Sequence, residues 1–150
     1  MWTVQALEAR ERAMRPGRLP VVALAMRRNR LLEALPEEER QRICSDLRII
    51  DLAQGTVLSE WLTVTDEILF PASAVVSMVT LMEDGQSVES VLVGDDGVAG
   101  AWVACGVDRA PWRVIVQSAG QALVMDAGRF TEHLEANPTF RRLVLRHTIA

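Results

Sequence analysis

No histidine precedes His133 in these 150 residues, and only His147 follows it. A β-barrel metalloenzyme that projects two histidines and a carboxylate onto a metal has no ligand set in the first 132 positions. A Ser-His-Asp or Cys-His arrangement is missing from the same stretch. Two cysteines, Cys44 and Cys105, lie far apart in the sequence. That excludes a disulfide framework and a metal-knuckle spacing, and an iron–sulfur cluster needs about four thiolates. Lysine is absent altogether: all 16 basic residues are arginine, the mark of a GC-rich codon usage, to which no chemistry is attached. No apolar run approaches the roughly 20 residues of a membrane span. The N-terminus, MWTVQALEARERAMR, lacks the apolar core of a secretory signal. A cytoplasmic protein with no membrane partner, no metal and no catalytic function is expected.

What is present is an ordinary globular composition, 49% hydrophobic and 24% charged, in a chain long enough for one domain with a sizeable core. Charge is uneven. Seven arginines within residues 1–30 face Glu8 and Glu11 alone, whereas residues 31–100 carry fourteen acids against Arg40, Arg42 and Arg48. Phosphate binding needs clustered cations, so the acidic middle is a poor nucleic-acid surface. The basic arm reads as a solvated extension, or as a contact for an acidic partner.

The chain is organised around the stretch from Val91 to Asp126, VLVGDDGVAGAWVACGVDRAPWRVIVQSAGQALVMD. Two apolar runs, Val91 to Val93 and Val114 to Val116, flank a segment punctuated by Gly94, Gly97, Gly100 and Gly106, where backbone can turn sharply and approach a ligand. Arg109 and Trp112 stand in the second half of that segment.

Before it, a helix is expected from Val4 to Met14, broken by Pro16-Gly17 and Pro20, then a short apolar patch from Val21 to Met26. Asn29 caps a short helix, RLLEAL. Another follows with Pro36 at its first position, Glu37, Glu38 and Glu39 at its positive end, and Ile43 and Leu47 on one face. The period then changes to that of strands: Arg48 to Leu52, Thr56 to Glu60, Glu67 to Phe70, Ala74 to Met82 and Ser87 to Val93, with a hairpin turn at Glu83-Asp84-Gly85-Gln86. Gln121 to Met125 is the last strand. Asp126 caps a helix with Phe130 and Leu134 on one face, and Asn137-Pro138 opens a final helix carrying Phe140, Leu143, Val144 and Ile149. The chain stops while that pattern is still helical, as the first part of a longer protein, or a shortened relative of one, would.

The order of these elements, with NRLLEALPEEERQRI, FPASAVVSMVTLMEDGQSVE, LVGDDGVAG and PWRVIVQSAGQAL, resembles the N-terminal sensor domain of Crp/Fnr-type bacterial transcription regulators over roughly Asn29 to Ala150. The resemblance implies a mainly β fold, a cyclic-nucleotide-binding-type jelly roll (double-stranded β-helix) flanked by short N-terminal and C-terminal helices. The expected organisation is an extension over residues 1–28, the roll over 29–136, and the start of a dimerisation helix over 137–150. It implies a homodimer through that helix and DNA contact only through a helix-turn-helix domain that this chain does not contain. By their spacing Phe140, Leu143 and Val144 form the apolar seam of such a pair or pack on their own domain, and spacing alone does not separate the two.

In cyclic-nucleotide binders of this fold, a Gly-Glu pair holds the ribose hydroxyl and a later Arg-Ser or Arg-Thr pair holds the cyclic phosphate. By resemblance the ligand-binding set is Gly97, Val98, Ala99, Gly100, Arg109, Ala110 and Trp112. Arg109 takes the place of the cassette arginine, but Ala110 follows it, and Val98-Ala99 stands where Gly-Glu belongs. Sliding by one residue brings Gly97 into place and leaves Val98 at the glutamate position. A buried ligand group that loses an oriented polar partner loses about 1–3 kcal/mol. Two such losses lower affinity by a few orders of magnitude at about 1.4 kcal/mol per tenfold. The expectation is a sensory domain with a degenerate phosphate cassette, an unknown small effector and no tightly bound cyclic nucleotide. Two alternatives stay open: a stand-alone interaction module, and a true cyclic AMP or cyclic GMP binder. Arg109 is otherwise a solvated hairpin arginine, Trp102 and Trp112 either stack on a ring or fill the roll, and His133 and His147 serve surface or packing roles.

Overall fold

The computed structural model describes residues 19–149. The expected helix from Val4 to Met14 and the arginines up to Arg18 lie outside the described residues. Among the described residues three short helices come first: α1 (Leu19–Met26), α2 (Arg30–Glu33) and α3 (Glu37–Cys44). The patch expected at Val21 to Met26 is thus helical, with Val22, Ala25 and Met26 on its buried side. Asn29 caps α2 as expected, its side chain accepting from the Leu32 N–H. Pro36 is the N-cap of α3 instead of its first residue, and Leu47 lies beyond that helix, in a strand.

Seven strands follow: β1 (Leu47–Leu52), β2 (Val57–Ser59), β3 (Glu67–Pro71), β4 (Val75–Leu81), β5 (Ser87–Val93), β6 (Arg113–Ser118) and β7 (Gly120–Asp126). They form two antiparallel sheets, β1-β7-β3 and β2-β6-β4-β5. Gly85 makes the β4–β5 turn at φ 83°. The segment between β5 and β6 contains a 3₁₀ turn, Ala101–Cys105, with Gly100 and Gly106 at either end at φ 99° and 82°. The chain closes with α4 (Ala127–Ala136) and α5 (Pro138–Ile149). Asp126 and Asn137 cap them as expected: Asp126 accepts from the Gly128 and Arg129 N–H groups, and Asn137 from Phe140.

The period of two in the β1-β7-β3 sheet divides the core. Ile50, Leu52, Leu69, Ala122 and Val124 point between the sheets to meet Leu58, Val76, Val93, Val114 and Val116. Their neighbours Ile49, Ile68, Phe70, Leu123 and Met125 point outward, where Met26, Leu31, Leu32, Ile43, Phe130, Phe140 and Val144 cover them. Both faces of β3 and β7 are therefore buried, which explains why these strands are nearly continuous apolar runs. Gly120 is required by close approach: a Cβ there would stand 2.5 Å from the Ala74 nitrogen.

Phe140 and Val144, both fully buried, belong to this intramolecular core. They are not free to form the expected seam between two copies; Leu143, packed against the same cluster, is half-buried. The helix periodicity was right, and the face it marks is used inside the chain. No helix among the described residues is long and apolar enough to cross a membrane.

Candidate ligand groove

The two halves of the glycine-rich segment are held differently. The first is pinned from below. The Arg30 N–H donates to Asp95 O at 2.7 Å, and the buried Asn29 Nδ2 donates to Pro71 O at 2.8 Å and Gly97 O at 3.0 Å. Ala99 and Leu69 exchange two backbone hydrogen bonds at 2.8 and 2.9 Å, so Ala99 is locked onto the edge of β3. Gly100, with its positive φ, brings its Cα so close to Ile68 that a Cβ would meet Ile68 Cδ1 at 3.0 Å. Its tight approach is to the domain's own sheet.

The second half runs along the surface. Val107, Asp108 and Arg109 are exposed, and Asp108 and Ala110 pair with the loop before β3 through Thr65 N–H to Asp108 O, Ala110 N–H to Thr63 O and Leu62 N–H to Ala110 O. Leu62 sits at φ 58°, where a side chain is strained by about 1–3 kcal/mol. The Arg109 guanidinium donates to its carbonyl oxygen at 2.8 Å and so helps to hold that conformation. Arg113 turns to the same loop, donating to Glu60 Oε1 at 3.0 Å and standing 6.0 Å from the Trp61 ring centre.

A groove of about 390 Å³ opens beside this segment. Met78, Val91, Leu92 and Val93 line it from β4 and β5, Asp96, Gly97 and Val98 from the glycine-rich loop, and Trp102 and Cys105 from the 3₁₀ turn. Trp112 lies on its wall, and His147 and Thr148 from the end of α5 complete it. The two tryptophans form a tilted pair with ring centres 5.7 Å apart. Trp102 is 7% exposed and donates its indole N–H to Thr65 Oγ1 at 2.8 Å, which satisfies the polar edge of a buried ring. Val91 and Leu92 are 42% and 54% exposed, so apolar strand surface is left uncovered at the groove. A second, narrow cavity of about 30 Å³ lies between Ser59, Thr65, Glu67, Ala99, Gly100 and Trp102, with room on the scale of a water molecule.

Of the expected ligand-binding set, Gly97, Val98 and Trp112 line the groove, Ala99 and Gly100 line the narrow cavity, Ala110 is fully buried, and Arg109 lines neither. His147, Thr148 and Met78 were not anticipated. Helical spacing says which residues share a face, but not that the last turn of α5 reaches a strand pair more than fifty residues earlier. His133, expected in a surface or packing role, bonds Asp46 at 2.7 Å and ties α4 to the turn before β1. Both cysteines are free thiols, with Cys44 buried and Cys105 exposed; burial pushes the Cys44 thiol up from its ordinary pKa. Among the described residues, no group of three metal-ligating side chains comes together.

No family model matches the sequence, and no curated protein does. Solved structures do. The N-terminal domain of a transcriptional regulator from Streptomyces coelicolor A3(2) superimposes with a TM-score of 0.65 at 19% identity, over 83% of this chain and 87% of that one. The sensor domain of the transcriptional regulator DNR from Pseudomonas aeruginosa gives 0.68 at 12%, over 85% and 86%. A cyclic nucleotide-binding domain from Methylobacillus flagellatus KT gives 0.65 at 13%, over 87% and 74%. At these identities the likeness establishes the fold: a cyclic-nucleotide-binding-type jelly roll with flanking helices.

Proposed function

We propose that this chain is the sensory domain of a Crp/Fnr-type transcription regulator whose effector occupies the groove beside Trp112, and that its phosphate cassette no longer holds a cyclic nucleotide tightly. The observation that carries this reading is the shared wall of the groove, where roll residues from β4, β5 and the glycine-rich loop meet His147 and Thr148 of the last helix. A molecule seated there touches both parts at once, so its binding energy biases how α5 lies on the roll. In a full-length relative with a helix-turn-helix domain, that shift would reposition two reading heads on a pair of DNA half-sites. Two such chains would pair through the sides of α5 that their own cores leave uncovered.

The cassette argument rests on placement. Arg109, the residue at the phosphate-binding position by resemblance, bonds the Leu62 carbonyl and lines neither the groove nor the narrow cavity. Val98 and Ala99, at the carboxylate position, are 8% and 5% exposed and bring no charge. A different reading, a stand-alone interaction module, draws on Leu81, Met82 and Val88, which leave the β4–β5 hairpin 51%, 49% and 48% exposed.

Thermal melting with millimolar cyclic AMP or cyclic GMP tests the cassette, because a ligand that binds only the folded state raises the melting temperature. No upward shift is expected with either nucleotide. A clear shift that disappears in Arg109→Ala would restore a working cassette and overturn this part of the reading. Size-exclusion with light scattering tests pairing: a monomer at tens of micromolar contradicts a dimer formed by this chain alone.

A further inference from the structure

We propose that the groove selects an uncharged, flat, ring-bearing ligand and discriminates against anions, an inference that rests on its assignment as the effector site. Its apolar wall is the tilted Trp102–Trp112 pair with Met78, Val91 and Leu92, a surface that offers ring faces and aliphatic edges. Offset or edge-to-face contact with such rings favours a planar guest over a branched one.

Charge decides the rest. Among its described lining residues the groove carries one carboxylate, Asp96, and no arginine. Arg109 and Arg113, which flank Trp112 in sequence, are engaged elsewhere, on the Leu62 carbonyl and on Glu60 beside Trp61, and Arg146, next to His147, is exposed and does not line the groove. Asp96 is exposed at the loop, so its charge faces whatever enters. An anion would have to give up water with no arginine in the groove to meet it, only the exposed imidazole of His147, and would face the like charge of Asp96. A neutral ring incurs neither cost. The ordering of the loop makes this arrangement durable: Asn29 holds the Gly97 carbonyl, and the Arg30 N–H holds that of Asp95, immediately before Asp96.

The test uses two dyes of one shape and different charge, N-phenyl-1-naphthylamine, which is neutral, and 1-anilinonaphthalene-8-sulfonate, which is an anion. Both are titrated into the whole chain at neutral pH and low salt, with energy transfer from tryptophan as the signal. The neutral dye is expected to bind at least about tenfold more tightly, a difference of about 1.4 kcal/mol. Asp96→Asn should narrow that ratio by strengthening the sulfonate, and Trp112→Ala should weaken the neutral dye about tenfold, while Trp112→Phe, which keeps a ring, should restore much of its binding. A sulfonate that binds as tightly as the neutral dye, yet depends on Trp112, would overturn the charge selection and leave the groove as the effector site. Neutral binding that ignores both Trp112 variants, or no binding by either dye, would overturn the groove itself.

Discussion

The described residues hold two aromatic clusters, built to opposite specifications. Phe70, Phe130 and Phe140 meet with ring centres 5.7–6.4 Å apart, all fully buried, where β3, α4 and α5 come together. They have no polar edge and need no partner other than each other. Trp102 and Trp112 meet at 5.7 Å on the wall of an open groove, one ring buried with its N–H bonded to Thr65 and the other half-buried. The phenylalanines fasten elements that are distant in sequence. The tryptophans cover a surface that stays partly wet, as amphipathic rings can. With the groove as the proposed effector site, stability and ligand recognition would fall to different aromatic groups in one small fold, and single substitutions can separate them.

The largest effect is expected at the phenylalanine cluster. Phe140→Ala removes a ring that touches two others in a sealed core and should cost about 3–5 kcal/mol, read by denaturant unfolding. A loss under about 1 kcal/mol would mean that α5 does not close the core in solution. Next comes the polar pin beneath the groove. Asn29→Ala orphans the Pro71 and Gly97 carbonyls and the Leu32 N–H, and a loss of about 2–3 kcal/mol should accompany faster amide exchange across residues 94–97. Unchanged exchange there would break the link between Asn29 and the groove. Trp102→Phe keeps an aromatic ring but leaves the Thr65 hydroxyl without its donor, and should cost only about 1 kcal/mol.

The mildest contrast is chemical. Iodoacetamide should modify the exposed Cys105 first at mildly alkaline pH, while Cys44 lags because burial holds its thiol protonated. The lag should shrink as the pH rises toward the raised Cys44 value. Because folding raises that pKa, the contribution is fully present below the ordinary thiol value and is lost as the pH climbs through the folded one. Equal rates throughout would mean that the Cys44 region opens readily.

Much of the fold was legible because the signals were local. Strand period, the turn at Gly85 and the caps Asn29, Asp126 and Asn137 depend on residues within a few positions of one another, and the strands and caps they mark appear within a residue or two of where those signals place them. Helix α1 was missed because LPVVALAM is apolar all round and carries no periodic stripe. The 3₁₀ turn at Ala101–Cys105 was hidden by glycines that read as loop. The groove was harder still. Trp112, Gly97 and Val98 could be named from the resemblance, but their companions Met78, His147 and Thr148 arrive through the tertiary fold. The direction in which Arg109 points depends on a strained Leu62 carbonyl, 47 residues away, that nothing in the local sequence announces.

The most direct test of the separation between the two clusters is a pair of nuclear magnetic resonance spectra of the isotopically labelled chain, before and after addition of N-phenyl-1-naphthylamine. The account predicts movement of the Trp102 and Trp112 indole resonances together with the backbone amides of His147 and Thr148, and no movement at Phe130 or Phe140. Shifts confined to the β4–β5 hairpin around Leu81 to Val88, with both indoles unmoved, would contradict it.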